Sequence, residues 1–207
     1  MEEAKDTLEK SLIGGLPNDL EAETNRMLLH LALDANDFAE ARKFSASMRA
    51  SNPVDVLCLI DAARIEKRAE NTVGVSLLLD EALGYISDTT PHRELIELAN
   101  SLYGAERFTD AWPIYEKVAD VKIASTLSDR LLFSYYRSGE VDKALVACHD
   151  RAQSGDDKFA TQIHISVLDE IGDLAGTVSV AESYIAKHPN DYEVRVRFAT
   201  ILYRLDQ

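Results

Sequence analysis

The chain has 207 residues, of which 46% are hydrophobic and 28% are charged, a composition typical of a folded globular protein. Its 36 acidic and 22 basic residues give a formal charge of −14, which opposes binding to nucleic acid and to anionic membrane surfaces. No run of residues is long and apolar enough to cross a membrane, and the acidic start MEEAKDTLEK is unlike a secretory signal, so a cytoplasmic protein is expected.

The first predicted elements are a single helix and a helical hairpin. The segment EEAKDTLEKSLIGGLP predicts a helix over about 2–13. The hairpin is predicted over about 22–55, from MLLHLALDANDFAEARKFSASMRASNP, because the apolar residues of this segment recur at helical spacing on either side of a short turn. These residues are Leu28, Leu29, Ala32, Ala41 and Met48.

A similar pattern returns four times at a period of 33 to 36 residues. The predicted hairpins cover about 56–91, 92–124, 125–157 and 158–191, and the first of them has extra residues near GYISDTTPH. Strand-type alternation is almost absent. The third hairpin of the chain has the clearest pattern, formed by Leu95, Leu98, Ala99, Leu102, Ala111, Tyr115 and Val118.

Both ends of the chain predict half of a hairpin. The first segment is typical of a second helix without its first, and the last segment, over about 192–206, is typical of a first helix without its second. The last helix has an apolar stripe for packing, but Val196 and Tyr203 are expected to stay exposed. The sequence therefore predicts either two capping helices or a fragment of a longer chain, and the exposed residues favour a fragment.

These spacings resemble the tetratricopeptide repeat, a helix-turn-helix unit of 34 residues. The resemblance implies an all-α fold, an α-α superhelix formed by a solenoid of antiparallel helix hairpins, over 1–207 as one domain. It also explains why Ala111 is small, since the second helix must approach the first at Ala99. The copies are degenerate: His164, Thr177 and Arg151 depart from the pattern of the family.

The sequence contains no phosphate-binding loop, zinc-binding motif or nucleophile elbow, so we expect no enzyme activity, no cofactor and no metal. Cys58 and Cys148 lie in apolar segments and are expected to be buried thiols. His164 is expected to be a hydrogen-bonded core histidine rather than a catalytic base. Two carboxylate pairs are expected only to be solvated: Asp156 with Asp157, and Asp169 with Glu170.

The resemblance further implies that the first helices of successive repeats line a concave groove. The partner-binding residues carried over to the middle of this groove are Arg64, Lys67, Arg68, Arg93, Asn100, Tyr103, Arg130, Phe133, Tyr136 and Arg137. The first repeat adds Arg26, His30 and Leu33, whereas the fifth is acidic. Two interpretations stay open, an ordinary solvated stripe with packed tyrosines, or a groove for an acidic or aromatic peptide.

The function that follows is a non-catalytic protein-protein interaction scaffold that binds a partner peptide or protein segment in its groove. The alternative is a self-association or regulatory repeat region of a larger multidomain enzyme or signalling protein. In either case the expected partner is a protein or peptide, possible self-association included, and neither nucleic acid nor a membrane.

Overall fold

The computed structural model describes residues 2–119, 125–152 and 157–205, and within these ranges it contains twelve α-helices and no strand. None of these helices has the length and apolar character needed to span a membrane. Their bounds are α1 Glu2–Ile13, α2 Asn18–Asp34, α3 Phe38–Ser51, α4 Val56–Arg68, α5 Thr72–Tyr85, α6 His92–Gly104, α7 Phe108–Val118, α8 Ser125–Arg137, α9 Val141–Ala152, α10 Lys158–Glu170, α11 Leu174–Lys187 and α12 Tyr192–Leu205.

The helices form two compact units that divide between Glu106 and Arg107. The first unit holds α1 to α6 and the second holds α7 to α12. The predicted division of one domain into five repeats, whose limits include residues outside the described ranges, stays a prediction.

In the first unit, α2 packs against α3, α4 packs against α5, and α4 also contacts α3 and α6. One cluster of this unit draws its apolar side chains from α2, α3 and α4, and Leu8 and Leu12 of α1 pack against it. Burial of each large apolar side chain stabilises the fold by roughly 1.5 to 3 kcal/mol. The buried members are Leu28, Leu29, Ala32, Leu33, Ala41, Phe44, Met48, Cys58 and Ile65.

In the second unit, neighbouring helices pack from α7 to α12, and α8 also contacts α10. One cluster lies around α8, α9 and α10, and a second cluster joins α10, α11 and α12. Thr177, at a position where the repeat pattern has Ala, is fully buried, and its hydroxyl donates a hydrogen bond to the Asp173 carbonyl at 2.8 Å. Thr177 therefore fits this close-packed position because its polar atom is satisfied within its own helix.

Aspartate and asparagine side chains fix where several helices begin. Asp37, Asp55, Asn71, Asp157 and Asp173 each accept a hydrogen bond from a backbone N–H in the first turn of the helix that follows. Such a cap satisfies one of the N–H groups that have no partner inside the helix and contributes about 1 kcal/mol.

A residue with positive φ lies two positions after the last residue of α2, α4, α6, α8 and α10. Gly139 and Gly172 have φ of 74° and 75°, and the same place is taken by Asn36, Glu70 and Glu106 at 56°, 57° and 59°. The left-handed conformation costs a residue with a Cβ roughly 1 to 2 kcal/mol. The turn geometry is thus kept even where the sequence lacks glycine.

Candidate functional site

Three of the predicted groove cations line a cleft in the first unit. The cleft has a volume of about 470 Å³ and lies between the C-terminal parts of α2 and α4. We call it the α2/α4 cleft. Its lining consists of His30, Leu33, Asp34, Arg64, Lys67 and Arg68.

Arg68 joins the two helices that form the cleft. Its Nη1 atom donates a hydrogen bond to the Leu33 carbonyl at 2.7 Å, and it lies 3.6 Å from the Asp34 carboxylate. The Leu33 carbonyl belongs to the last turn of α2 and also accepts a hydrogen bond from the Asn36 backbone N–H at 3.0 Å. Arg68 therefore acts as a cation at a helix C-terminus, which the helix dipole favours.

Arg64 is held by a buried carboxylate that the sequence analysis did not single out. Its Nη1 donates to Asp61 at 3.0 Å, and it also forms an ion pair with Glu97 of α6. The Asp61 side chain is only 3% exposed and also accepts a hydrogen bond from Arg26 of α2 at 2.8 Å. Asp61 thus fixes two arginines, one from each helix, against the same carboxylate.

Lys67 connects the cleft to α6, a third helix of the first unit. Its Nζ donates to the Gly104 carbonyl, at the end of α6, at 2.6 Å. Within the described part of the chain, no carboxylate lies within ion-pair distance of Lys67, in contrast to Arg64 and Arg68. A carbonyl carries no formal charge, so the exposed ammonium group keeps its positive charge and can attract an anion.

The other predicted residues of the first unit lie on α6 and are not part of the cleft lining. Arg93 is exposed in the first turn of α6, and Asn100 and Tyr103 are half-buried further along it. The cleft thus includes five of the nine first-unit residues assigned to the groove: His30, Leu33, Arg64, Lys67 and Arg68.

On α8, the second unit uses predicted groove residues for packing. The Phe133 ring packs edge-on against Phe108 with 5.5 Å between centroids and also contacts Tyr136 at 6.2 Å. The Arg137 guanidinium lies over both phenylalanine rings, 5.2 Å from that of Phe108 and 5.7 Å from that of Phe133. These cation-π contacts stabilise an exposed arginine in one position.

Tyr136 and Arg130 complete the predicted set on α8. The Tyr136 hydroxyl donates to Glu170 of α10 at 2.7 Å, and burial together with this hydrogen bond raises the pKa of Tyr136. Arg130 is half-buried on the same helix. The ten predicted residues therefore fall into a charged cleft in one unit, an aromatic group in the other, and single residues beside them.

Burial shifts the pKa of two cysteines and one histidine towards their uncharged forms. Burial raises the pKa of Cys58 to about 12, with Asp55 adding to the effect, and burial also raises the pKa of Cys148 to about 12. Burial lowers the pKa of His164, and its Nδ1 atom has no hydrogen-bond partner among the described residues, so the hydrogen bond expected for this histidine is not seen at that atom.

The carboxylate pairs have structural partners. Asp157 caps α10 and pairs with Arg151 at 2.6 Å, and Asp169 pairs with Arg204 at 2.8 Å, while Asp156 lies outside the described residues. The bridge from Arg151 to Asp157 and to Asp129 explains why a long side chain replaces the small residue of the pattern. Among the described residues, no group of three or more His, Cys, Asp or Glu side chains is arranged to hold a metal.

Comparison with solved structures identifies the fold. A tetratricopeptide-repeat protein from Parabacteroides merdae is similar with a TM-score of 0.63 at 13% identity, over 90% of this chain and 74% of that chain. YrrB, described as a TPR protein with an unusual peptide-binding site, is similar with a TM-score of 0.66 at 13% identity, over 92% and 96%. The fold is the tetratricopeptide-repeat fold. The expected fold class, an all-α superhelix of helical hairpins, is thereby confirmed.

A further neighbour is pilF of Pseudomonas aeruginosa, with a TM-score of 0.53 at 12% identity, over 91% of this chain and 93% of that chain. No family model and no curated protein matches the sequence. In a tetratricopeptide-repeat fold, α2 and α4 are the first helices of successive hairpins. The α2/α4 cleft is therefore built by the helices that the sequence resemblance assigns to the groove.

Proposed function

We propose that the chain is a non-catalytic protein-protein interaction scaffold and that its α2/α4 cleft binds an acidic peptide segment of a partner protein. The observation that carries the proposal is the convergence of Arg64, Lys67 and Arg68 on one cleft in a chain whose formal charge is −14. A locally basic site on an acidic surface orients an anionic segment and repels it elsewhere. The peptide-binding site named for YrrB supports this reading of the fold.

The chemistry of the cleft fits a carboxylate next to an apolar side chain. Lys67 uses one hydrogen bond on a carbonyl, and an ammonium group has three donors, so it can also bind a ligand carboxylate. Arg68 is held in place by Leu33 and presents a planar fork that binds carboxylates in two-point contacts. Leu33 contributes an apolar surface to the wall of the cleft.

Two further parts of the proposal follow from charge and burial. The high pKa of Cys58 and Cys148 keeps both thiols protonated at neutral pH, so neither supplies a thiolate nucleophile. The negative charge of the chain also favours a protein ligand over nucleic acid or a membrane, in keeping with the expected cytoplasmic location. The other predicted groove residues, on α6 and α8, stay a prediction.

Fluorescence anisotropy with two labelled peptides tests the proposal. Both peptides carry leucines at the same positions, and one has glutamates where the other has lysines. We expect the acidic peptide to bind and the basic one not to bind, with affinity that falls as salt is raised from 50 to 500 mM, because exposed charges are screened. The double variant Lys67→Glu with Arg68→Glu is expected to lose at least tenfold in affinity.

Lys43→Glu is the matched control, since Lys43 is an exposed cation on α3 that does not line the cleft. The far-ultraviolet circular dichroism of each variant verifies that the helices remain. Equal binding of the two peptides, or full binding by the double variant, would show that the cleft is not an acidic-peptide site.

A further inference from the structure

The last helix, α12, has one buried face and one exposed face. Val194 and Ile201 are buried and form a cluster with Ile165 of α10 and Tyr184 of α11. This inner face attaches α12 to the rest of the second unit.

The outer face of α12 is apolar. Tyr192, Val196, Ala199 and Tyr203 are spaced i, i+4, i+7 and i+11, which places them in one line along a helix, and all four are exposed. We call these four residues the outer stripe. Scattered exposed apolar residues are ordinary, but a continuous line of four on one helix is typical of a surface that another helix covers.

The positions of α10 that correspond to the outer stripe are less exposed: Ile165 is buried, and Lys158, Gln162 and Asp169 are half-buried. Ile165 and Leu168, which lie 34 positions before Ala199 and Leu202, are both buried, and α11 packs against their helix. Ala199 and Leu202 are exposed instead. α11 follows α10 and packs against it, but within the described residues no helix follows α12 and packs against it in the same way.

The first helix, α1, has the pattern of a helix that could cover the outer stripe. Ala4, Leu8 and Ser11 are spaced four and then three positions apart. The same spacing occurs in a second helix of the repeat pattern, α7, at Ala111, Tyr115 and Val118. Leu8 packs against the first-unit cluster, while Ala4 is exposed and small enough to allow a close helix approach.

The charges of the two helices are complementary. α1 contains four acidic residues and two lysines, whereas α12 contains three arginines and one glutamate. Opposite charges favour contact between α12 and α1 and disfavour contact between two α12 helices.

We infer that α1 of a second copy of this chain covers the outer stripe of α12 and completes a helical hairpin between two molecules. The contact is heterologous, because the surface on α12 differs from the surface on α1. A pair of molecules then keeps one unused α1 surface and one unused α12 surface, so association continues beyond the dimer unless a ring closes. This inference does not depend on the ligand of the α2/α4 cleft.

Size-exclusion chromatography with light scattering, over a series of protein concentrations, measures this association in the intact chain. The average mass of the wild-type protein is expected to rise with concentration to more than two chains. Val196→Glu on α12 and Ala4→Arg on α1 are each expected to give monomers at every concentration. Val146→Glu is the matched control, since Val146 of α9 is 62% exposed and Val196 is 67% exposed, and it is expected to behave as the wild type.

Mixing the two monomeric variants tests the polarity of the contact. The Val196→Glu chain retains an intact α1 and the Ala4→Arg chain retains an intact outer stripe, so an equal mixture is expected to form a complex of two chains and no larger species. Circular dichroism of each variant verifies that it is folded. A wild-type protein that stays monomeric, an Ala4→Arg variant that still associates, or a mixture that stays monomeric would each overturn the inference.

Discussion

Asp61 is the residue whose replacement most directly tests how the cleft is built. It is a buried carboxylate that holds Arg26 and Arg64 at 2.8 and 3.0 Å. Asp61→Asn keeps the size of the side chain and removes its charge, so both arginines lose an ion pair while their helices stay in contact. The expected result is a lower free energy of unfolding.

The magnitude follows from the exposure of the partners. Removal of one partner from a fully buried ion pair costs about 3 to 5 kcal/mol. The arginine side chains are 29% and 41% exposed, so water compensates part of the loss, and Asn still accepts one hydrogen bond. Hydrogen bonds to charged groups contribute about 1.5 to 3 kcal/mol each, and a net loss of about 1 to 3 kcal/mol is therefore expected for Asp61→Asn.

Urea denaturation followed by circular dichroism gives the change in free energy. Asp34→Asn is the matched control, because the Asp34 side chain is 63% exposed and lies 3.6 Å from Arg68, and exposed pairs contribute about 1 kcal/mol or less. A double-mutant cycle with Arg26→Gln isolates the coupling between that arginine and Asp61. Equal unfolding midpoints for Asp61→Asn and Asp34→Asn would refute the role assigned to Asp61.

Two other predictions concern packing and pH. Ala111 is fully buried, so Ala111→Leu is expected to overpack its site and to lower the free energy of unfolding by about 1 to 3 kcal/mol; an unchanged urea midpoint would show that the site has room. The pKa of His164 is below its ordinary value of 6.5 because burial disfavours the charged ring, with His149 adding to the effect. As the pH falls, His164 is therefore protonated in the unfolded chain before it is protonated in the folded protein. The contribution of neutral His164 to the free energy of unfolding is fully present above pH 6.5 and is lost as the pH falls through the lowered pKa. His164→Leu is expected to reduce the fall in urea midpoint between pH 7.5 and pH 5; an equal fall in both proteins would contradict this assignment.

The periodicity of apolar residues predicted the helices because the same residues that mark one face also form the core. Ala99 and Ala111 illustrate this, since both small residues of the best repeat are fully buried. They belong to different units, and their close approach stays a prediction. Turn positions were harder to read, because Glu70 and Glu106 adopt the conformation that the pattern assigns to glycine.

Candidate site residues were only partly predictable, because a sequence shows the face of a helix but not what lies opposite it. Phe133 has the spacing of a groove residue, yet its ring packs against Phe108 and Tyr136. The sequence did not single out Asp61, because its importance depends on residues of another helix that lie opposite it. A single acidic residue in the apolar run VLCLIDAARI signals a buried carboxylate, but its arginine partners become evident only once α2 and α4 are adjacent.

Gly104 offers a way to separate the function of the cleft from the stability of the fold. It is the last residue of α6, and a Cβ added there would lie 2.9 Å from the Nζ atom of Lys67, which must then move. Gly104→Ala is expected to raise the free energy of unfolding by about 0.5 to 1 kcal/mol, because alanine loses less conformational freedom on folding than glycine. Loss of the hydrogen bond from Lys67 to the Gly104 carbonyl is expected to lower it by up to about 1.5 kcal/mol.

These two contributions oppose each other, so the free energy of unfolding is expected to change by less than about 1 kcal/mol. Affinity for the acidic peptide is expected to fall several-fold, since Lys67 no longer has a fixed position. Gly84→Ala is the control, because a Cβ at Gly84 would meet no atom within 4 Å and Gly84 does not line the cleft. If Gly104→Ala and Gly84→Ala bind the peptide as well as the wild type, then the position of Lys67 does not determine binding, and the attraction of the cleft for acidic peptides rests on its arginines.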